Sequence, residues 1–457
     1  MNKQKLVISI VVFIFVIFIF SSACMSDEAE LLTPEQMREN LTFIRDKIIQ
    51  THPNPYHSIS NQEYQILYGR LMNKLNEPLR ADVFYFIANE IIAVLKDAHT
   101  TLGYGYETKY IPITGELMPD GFGIYSTDED HSELLHVRLI AIENIPVEGW
   151  LTEFAKLWSH ENMEYIQAGF SSLIRSQLYV GHILGNPDIE KVRITVEKNQ
   201  KVFDATLAFD DEKPLNVIDI GTAKKPAAEK QGLYLIRWLD NISAGYISFF
   251  SCPEDEDFFH VMNSFIDETN KRGYHNLVFD VRYNGGGSMA IIDEVLNHLP
   301  GDKFKGYSGY SKLSPEEERL TKYGGFKKKQ ESAECPVIVK KKKNKNIDNM
   351  FTGKIYVLIG RNTFSSGNAF PIMLKDNGLA TLVGQRTSNA PCAFGAFKHF
   401  ELPHGRFTLN VSSKFLIRPS CVCDSDSLIP DVQIPVTMND YVNNRDPVME
   451  WLEKNLK

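Results

Sequence analysis

The sequence has few cysteines and no excess of positive charge, and both shortages narrow the classes of protein that it can encode. Six cysteines in 457 residues are too few and too scattered for a small scaffold held together by disulfides. Acidic residues outnumber basic ones by 58 to 49, and the formal net charge is −9. A chain-wide surface for the phosphates of nucleic acid is not expected from this balance. We therefore predict no nucleic-acid partner.

The apolar run near the N-terminus is short for a membrane-spanning helix. It extends from Leu6 to Phe20, whereas a spanning helix needs about 20 residues. Two lysines precede the run and small residues follow it, which is typical of an export signal. The small residues lead to Cys24 and resemble a bacterial lipobox, although Ser21 stands where such a box usually has leucine. We predict a lipoprotein signal peptide over 1–24, acylation of Cys24 and a membrane-anchored protein in the cell envelope; an uncleaved signal anchor is the alternative.

The remaining composition is that of an ordinary globular protein. Hydrophobic residues make up 43% and charged residues 23% of the chain, which excludes global disorder, collagen and coiled coil. The hydrophobic spacing changes along the chain and predicts an α/β (α+β multidomain) protein with three domains. These are an N-terminal helical domain over 30–100, a β-rich region over 101–230 and a core of alternating strands and helices over 231–457.

Helical spacing dominates the first region. Thr33 and Pro34 form a helix start, with a cap residue followed by proline at the first helical position. Prolines in the sequence THPNPY (51–56) end this helix, and two further helical stretches follow before the sequence DAHT (97–100). The second region contains strand-like runs at 136–147 and 191–198, with a helix expected between them near Trp150 to Trp158. This order resembles a degenerate PDZ-like module.

The third region alternates between strand and helix. Strands are predicted at 244–250, 275–282, 354–360 and 379–384, and helices at 257–273, at 288–299 and after the third strand. Strand–helix–strand units of this length predict parallel pairing. Residues 301–353 show little periodicity, and the lysine run Lys340 to Lys345 predicts a solvated loop, with a lid or a docking patch as the alternative.

Two loops of the third region carry chemistry-bearing residues. Each follows a predicted strand and begins a helix, where ligands bind in open parallel sheets. The first loop contains Asn284 and three consecutive glycines, whose bare backbone N–H groups suit an oxyanion hole. The second contains Ser365 and Ser366 at the positive end of a helix dipole. A plain turn and a plain serine helix cap are the structural alternatives. A nucleophilic serine needs a base, and His99 in the DAHT sequence is the candidate.

Five short motifs in this order resemble the tail-specific (C-terminal processing) serine peptidases, a family that includes the tricorn protease core and the interphotoreceptor retinoid-binding protein. They are DAHT, FDVRYNGGG, GRNTFSSGNAF, LVGQRT and LIPDVQIP. The resemblance implies a ClpP/crotonase-like core, a peptide or protein substrate and no cofactor. It also implies that Ser365 is the nucleophile, and that one oxyanion donor is the backbone N–H of Ser366. The other donor is expected at Gly286, with Gly285 or Gly287 as neighbours.

The resemblance also separates two ways of activating the serine. One branch of the family uses a lysine, but Ala390 stands at the matching place and cannot take a proton. The tricorn-like branch uses the histidine of a DxHT-type motif, which is His99 here. The acid that orients the histidine in that branch matches Asp424, with Asp426 as the alternative. Two departures from that branch are Ala98, where a serine precedes the histidine, and Asp424, where the family often has glutamate.

The remaining cysteines do not form a zinc motif. Cys421 and Cys423 are spaced CxC rather than CxxC, so no metal is predicted. We expect a disulfide among Cys392, Cys421 and Cys423, and free or buried thiols at Cys252 and Cys335. The alternative function is a non-catalytic ligand- or peptide-binding lipoprotein on the same fold. The oligomeric state is left open by the sequence.

Overall fold

A computed structural model describes residues 30–211, 216–217, 233–312, 335–340 and 350–456. The predicted signal peptide and Cys24 lie outside these residues, as do Lys341 to Lys345 of the lysine run. Within the described ranges, no helix combines the length and the apolar character that crossing a membrane requires.

The N-terminal region contains three helices and a short two-stranded sheet. Its elements are β1 (Leu31–Leu32), α1 (Pro34–Thr51), α2 (Asn61–Met72), β2 (Leu79–Arg80) and α3 (Ala81–Ala93). Thr33 caps α1 in a capping box with Gln36, and Ser60 caps α2 in the same way with Glu63. Each box satisfies two backbone N–H groups that a helix start leaves free, so these helices begin where their sequences predict.

The middle region is built on an antiparallel sheet of seven strands. Its elements are β3 (Thr101–Tyr104), β4 (Ile113–Met118), β5 (Gly121–Thr127), β6 (Val137–Ile142), β7 (Ile145–Pro146), α4 (Val147–Leu157), α5 (Met163–Arg175), α6 (Gln177–Leu184), β8 (Lys191–Lys198), β9 (Lys201–Ala208) and β10 (Asn216–Val217). Strand β3 belongs to another sheet. Helices α5 and α6 follow the predicted helix α4 and were not expected from the sequence. The PDZ-like character of this region stays a prediction.

The C-terminal region carries the longest run of parallel strands. Its elements are β11 (Tyr234–Leu239), β12 (Ala244–Phe249), α7 (Glu256–Lys271), β13 (Asn276–Asp280), α8 (Ala290–Asn297), β14 (Lys303–Gly306), β15 (Ser308–Ser311), β16 (Val337–Lys340), β17 (Lys354–Ile359), α9 (Ser366–Asp376), β18 (Ala380–Gly384), β19 (Ala393–Gly395), β20 (Lys398–Glu401), β21 (Phe407–Val411), β22 (Lys414–Ile417), β23 (Val432–Gln433), α10 (Met438–Val442) and α11 (Pro447–Asn455).

A six-stranded sheet forms the centre of this region, in the order β11-β12-β13-β17-β18-β23. Strand β11 is antiparallel to β12, and the other pairs are parallel. Helices α7, α8 and α9 pack on one face through buried side chains such as Phe265 and Ile372. Helix α11 covers the other face with Val448 and Leu452. Both faces are buried, as parallel sheets require, and the predicted α/β class is confirmed.

The helical N-terminal block shares its core with the C-terminal region. Strand β3 pairs antiparallel with β21, so that Leu102 lies opposite Leu409. Phe407 and Leu409 are buried in one hydrophobic cluster with the residues of α1, α2 and α3. No local pattern in the sequence predicts that these distant segments share one core. The boundaries of the three predicted domains stay predictions.

Two disulfides join the described cysteines, and one of them differs from our expectation. Cys392 bonds to Cys423, and Cys335 bonds to Cys421. The expectation of a free or buried thiol at Cys335 was wrong, because folding brings a residue 86 positions away within bonding distance. Cys252 is free and buried, as predicted.

Candidate active site

The two loops predicted to carry chemistry lie side by side. Strands β13 and β17 are parallel neighbours in register, with Asp280 opposite Leu358, so the loops after them leave the same edge of the sheet. Gly286 contacts the second loop directly: a Cβ atom placed on it would lie 2.6 Å from the Cβ atom of Ser365. Position 286 of the NGGG turn therefore has to be glycine, and the turn packs directly against Ser365.

Ser365 is held in a backbone conformation that side-chain-bearing residues rarely adopt. Its φ is 54° and its ψ is −126°. Its N–H donates to Oδ1 of Asn389 at 3.1 Å, and its carbonyl accepts from the N–H groups of Asn368 and Ala369. Such a backbone conformation costs about 1–3 kcal/mol and persists only where the surrounding structure holds it in place. These three hydrogen bonds hold the backbone of Ser365 in place.

The Ser365 hydroxyl is not used as a helix cap. Ser365 occupies the N-cap position of α9, but its side chain accepts no hydrogen bond from the helix. Instead its Oγ lies 3.1 Å from Nε2 of His99, which is 266 residues away in the sequence. The structural alternative of a plain serine cap is therefore wrong, and the hydroxyl has a base within hydrogen-bond distance.

His99 is buried in a setting that favours its neutral form. Its ring stacks on Phe364, with centroids 4.7 Å apart, and only 9% of the residue is exposed. Burial lowers the pKa of His99, and the nearby charge of Asp97 opposes this shift. A neutral imidazole with Nε2 facing a hydroxyl is the arrangement that general-base catalysis needs.

Asp97 shapes the DAHT turn and ties it to the THPNPY segment. Its Oδ1 accepts the backbone N–H of His99 at 2.9 Å, and its Oδ2 accepts from Thr100 Oγ1 and His52 Nε2. Although burial works in the opposite direction, the hydrogen bond from His52, the charges of His52 and His99 and the Thr100 hydroxyl hold the pKa of Asp97 well below its usual range. The THPNPY segment and the DAHT motif are thus parts of one local structure.

Some backbone N–H groups of the two loops are used within the structure, and others have no partner among the described residues. The N–H of Gly286 donates to Oδ1 of Asn284 at 2.9 Å, and that of Gly285 to the carbonyl of Phe250. Among the described residues, the N–H groups of Gly287 and Ser366 have no hydrogen-bond partner. The Ser366 hydroxyl donates to the Gly287 carbonyl at 2.7 Å, which joins the two loops.

The predicted acid is not brought to the histidine. Asp424 is exposed next to Cys423, whose disulfide to Cys392 holds this segment, and within the described residues no hydrogen bond or ion pair joins Asp424 to His99. The alternative, Asp426, forms an ion pair with Arg386 at 2.9 Å. The structure thus unites Ser365 with His99 but leaves both aspartates outside, and the role predicted for Asp424 stays a prediction.

Sequence reasoning missed two polar residues of this site, Asn389 and Glu161. Asn389 precedes Ala390, the residue at the place of the family's lysine, and it holds the N–H of Ser365. Glu161 precedes α5 in the middle region and accepts the N–H of Ala98 at 3.3 Å. No motif marks Glu161, because it lies in the part of the chain where the family resemblance is weakest.

Comparison with known proteins agrees with this geometry. Residues 243–409 match the model of Peptidase family S41. A stretch of 185 residues is 25% identical to the tricorn protease of Thermoplasma acidophilum and covers 40% of this chain. The matched stretch spans only 14% of that relative's length.

Solved structures share the fold over most of the chain. Mature CPAF in complex with lactacystin superposes with a TM-score of 0.68 at 16% sequence identity, covering 93% of this chain and 98% of that one. Another structure of mature CPAF gives a TM-score of 0.68 at 18% identity, with coverage of 93% and 97%.

Fold and site together resemble those of a serine-type peptidase. The match to Peptidase family S41 covers residues 243–409 and bears out the predicted resemblance to the C-terminal processing peptidases.

Proposed function

We propose that the protein is an exported peptidase that hydrolyses peptide bonds with Ser365 as nucleophile and His99 as general base. The observation that carries the proposal is the 3.1 Å separation between Ser365 Oγ and His99 Nε2. Ser365 attacks the peptide carbonyl carbon as its proton passes to His99. The imidazolium then protonates the leaving amine, and water hydrolyses the acyl-enzyme with His99 as base.

The proposed oxyanion hole uses one backbone N–H from each loop. Ser366 supplies the first, because its N–H has no partner among the described residues and the helix dipole favours negative charge at the start of α9. The NGGG turn supplies the second. Gly286, the predicted donor, already donates to Asn284, whereas its neighbour Gly287 has a free N–H among the described residues. The free N–H favours Gly287.

Export and membrane anchoring are also part of the proposal. The apolar run and Cys24 are typical of a lipoprotein signal, and the two disulfides suit an oxidising compartment outside the cytoplasm. We propose that Cys24 carries a lipid anchor and that the peptidase faces the outside of that membrane. The substrate class is peptide or protein, bound in an extended conformation beside a strand.

Labelling with a fluorophosphonate probe tests the nucleophile and the base. We expect the wild type to be labelled at Ser365, as mapped by mass spectrometry. Ser365→Ala should abolish labelling and His99→Ala should slow it at least about 10³-fold, because serine and histidine act as a unit. His404→Ala is the control, since His404 pairs with Glu39 at the surface. A folded wild type without labelling would contradict the proposal and favour the non-catalytic binding protein.

The pH dependence of peptide hydrolysis tests the role of His99 independently. Burial lowers the pKa of His99 from its usual 6.5, so the neutral base persists to lower pH than for an exposed histidine. Protonation of His99 should therefore give a loss of activity as the pH falls through a value below 6.5. A kcat/KM profile with no loss of activity below pH 6.5 would show that another group is the base.

A further inference from the structure

The second ring nitrogen of His99 has no partner in the described part of the chain. Nε2 faces the serine, while Nδ1 is buried without a hydrogen bond among the described residues. For Nε2 to accept a proton, the neutral ring must carry its own proton on Nδ1. That N–H needs an acceptor to hold the ring in this tautomer, and neither Asp424 nor Asp426 contacts it.

Two carboxyl groups lie close to the His99 ring. One oxygen of Asp97, one oxygen of Glu161 and a ring nitrogen of His99 all lie within 4.8 Å of one another. The oxygens of Asp97 already accept the His99 backbone N–H, the Thr100 hydroxyl and His52. Asp97 therefore positions the turn, and most of its acceptor sites are already used.

Glu161 has more spare acceptor capacity than Asp97. Each of its oxygens accepts one long hydrogen bond, Oε1 from the N–H of Ala98 at 3.3 Å and Oε2 from Nδ2 of Asn389 at 3.4 Å. A carboxylate oxygen has two acceptor sites, so each oxygen retains room for another donor. Glu161 also bridges the two segments that hold His99 and Ser365, because Asn389 accepts the N–H of Ser365.

The segment that carries Glu161 is anchored on both sides. Ser159 Oγ accepts the backbone N–H of Asp97 at 2.7 Å. Asn162 caps α5 and donates from its Nδ2 to the Asp426 carbonyl at 2.5 Å. These bonds hold the segment that carries Glu161 next to the DAHT turn.

We propose that Glu161 is the positioning residue for His99, accepting the Nδ1 proton and stabilising the imidazolium formed when Ser365 loses its proton. The proposal rests on the peptidase function proposed above. It assigns the orienting role to the middle region of the chain, in place of the C-terminal aspartate predicted from the family resemblance.

The charge state of Glu161 gives the proposal a signature in the pH profile. The groups facing it are Asp97 and His99 from the DAHT turn, Tyr165 from α5 and the neutral amide of Asn389. Burial, followed by the charge of Asp97, raises the pKa of Glu161 to about 8. Ionised Glu161 stabilises an imidazolium better than the neutral acid does, so kcat/KM should rise between about pH 7 and 9.

Glu161→Gln is the test, with Asp424→Asn as the matched control. Glutamine keeps an oxygen for the Ala98 N–H but cannot carry a negative charge. We expect kcat for peptide hydrolysis to fall by about 10²- to 10⁴-fold, as for loss of an orienting carboxylate. KM should change less than about threefold, and the rise of kcat/KM between about pH 7 and 9 should be lost. Glu161→Asp should recover part of the rate, and Asp424→Asn should retain the wild-type profile. Wild-type kcat and pH profile in Glu161→Gln, or the loss appearing in Asp424→Asn instead, would overturn the proposal.

An NMR measurement separates this proposal from the proposed function. In protein with ¹⁵N-labelled histidine, the ring shifts of His99 report which nitrogen carries the proton, and His99→Gln assigns them. We expect the Nδ1–H tautomer in the wild type and a changed tautomer ratio in Glu161→Gln. If the wild type hydrolyses no peptide and the tautomer ratio of His99 still changes in Glu161→Gln, the peptidase function fails and the positioning role stands. An unchanged ratio rejects the positioning role whether or not peptides are cleaved.

Discussion

At the scale of single residues, the site depends on one glycine as much as on its serine. Gly286 has a φ of 105° and leaves no room for a side chain, since an added Cβ would lie 3.1 Å from the Ser365 hydroxyl. Its neighbour Gly285 has ordinary backbone geometry and nothing within 4 Å of an added Cβ. Two adjacent glycines in one turn therefore tolerate substitution very differently.

Gly286→Ala should inactivate the enzyme, and Gly285→Ala should not. The added methyl group displaces Ser365 from His99, and a misplacement of about 1 Å in a reacting group can cost 10²-fold in rate. We expect a loss of at least that size in fluorophosphonate labelling, with a loss of stability of about 1–3 kcal/mol from the strained φ. Gly285→Ala, the control, should label within a few-fold of the wild type. Equal labelling of both variants would contradict the packing described for this turn.

At the scale of secondary structure elements, the charged residues of the FDVRYNGGG motif stabilise the strand end rather than take part in the chemistry. Arg282 follows β13 and is buried between two carboxylates, with Asp280 at 2.7 Å and Asp446 at 2.9 Å. Asp446 is also the N-cap of α11. The arginine thus joins the sheet to the helix that covers its far face, and it fixes the strand end from which the NGGG turn departs.

Arg282→Met should destabilise the protein strongly. The substitution leaves two buried carboxylates without their counter-charge, and breaking a buried pair in this way costs about 3–5 kcal/mol. Arg272→Met is the matched control, because Arg272 pairs with Glu268 on the exposed surface of α7 and should cost at most about 1 kcal/mol. The free energy of unfolding from urea denaturation measures both. Similar losses in the two variants would mean that the Arg282 cluster adds no more than a surface pair does.

At the scale of the whole molecule, three distant parts of the chain build one site. His99 comes from the N-terminal block, Glu161 from the middle region and Ser365 from the sheet. The pairing of β3 with β21 carries the DAHT turn to the C-terminal region, and the N–H of Ser412 donates to Thr100 Oγ1 at 3.1 Å. The Cys392–Cys423 disulfide closes a loop of 31 residues around the segment between β18 and the predicted acid.

Removing the Cys392–Cys423 disulfide should lower the stability of the whole molecule. A bond that closes a loop of this length restricts the unfolded chain and stabilises the fold by about 2–4 kcal/mol. We expect the double variant Cys392→Ala/Cys423→Ala to have a lower Tm than the wild type. A reducing agent should also lower the Tm of the wild type, by more than it lowers that of the double variant. Unchanged Tm values in the double variant would show that the bond adds no stability to the folded protein.

The sequence predicted the chemistry of the site better than its assembly. Ser365, His99 and the glycine turn could be predicted because they lie in motifs that resemble the peptidase family, at strand ends and helix starts where nucleophile, base and oxyanion donors are expected. Local helix signals also placed α1, because the capping box at Thr33 is formed by neighbours in the chain. Asp424 could not be tested from the sequence alone, because its distance from His99 depends on the course of the whole C-terminal segment.

The amino-acid sequence by itself predicted the α/β class and most of the elements, since these depend on periodicity and capping over short stretches, and its family motifs predicted Ser365 and His99 as the reacting residues. Only the tertiary structure decided that Cys335 bonds to Cys421, that Asn389 holds the serine backbone and that Glu161 lies beside the histidine. Such contacts join residues far apart in the chain. Their geometry follows from how the sheets and helices pack, and no local pattern encodes it.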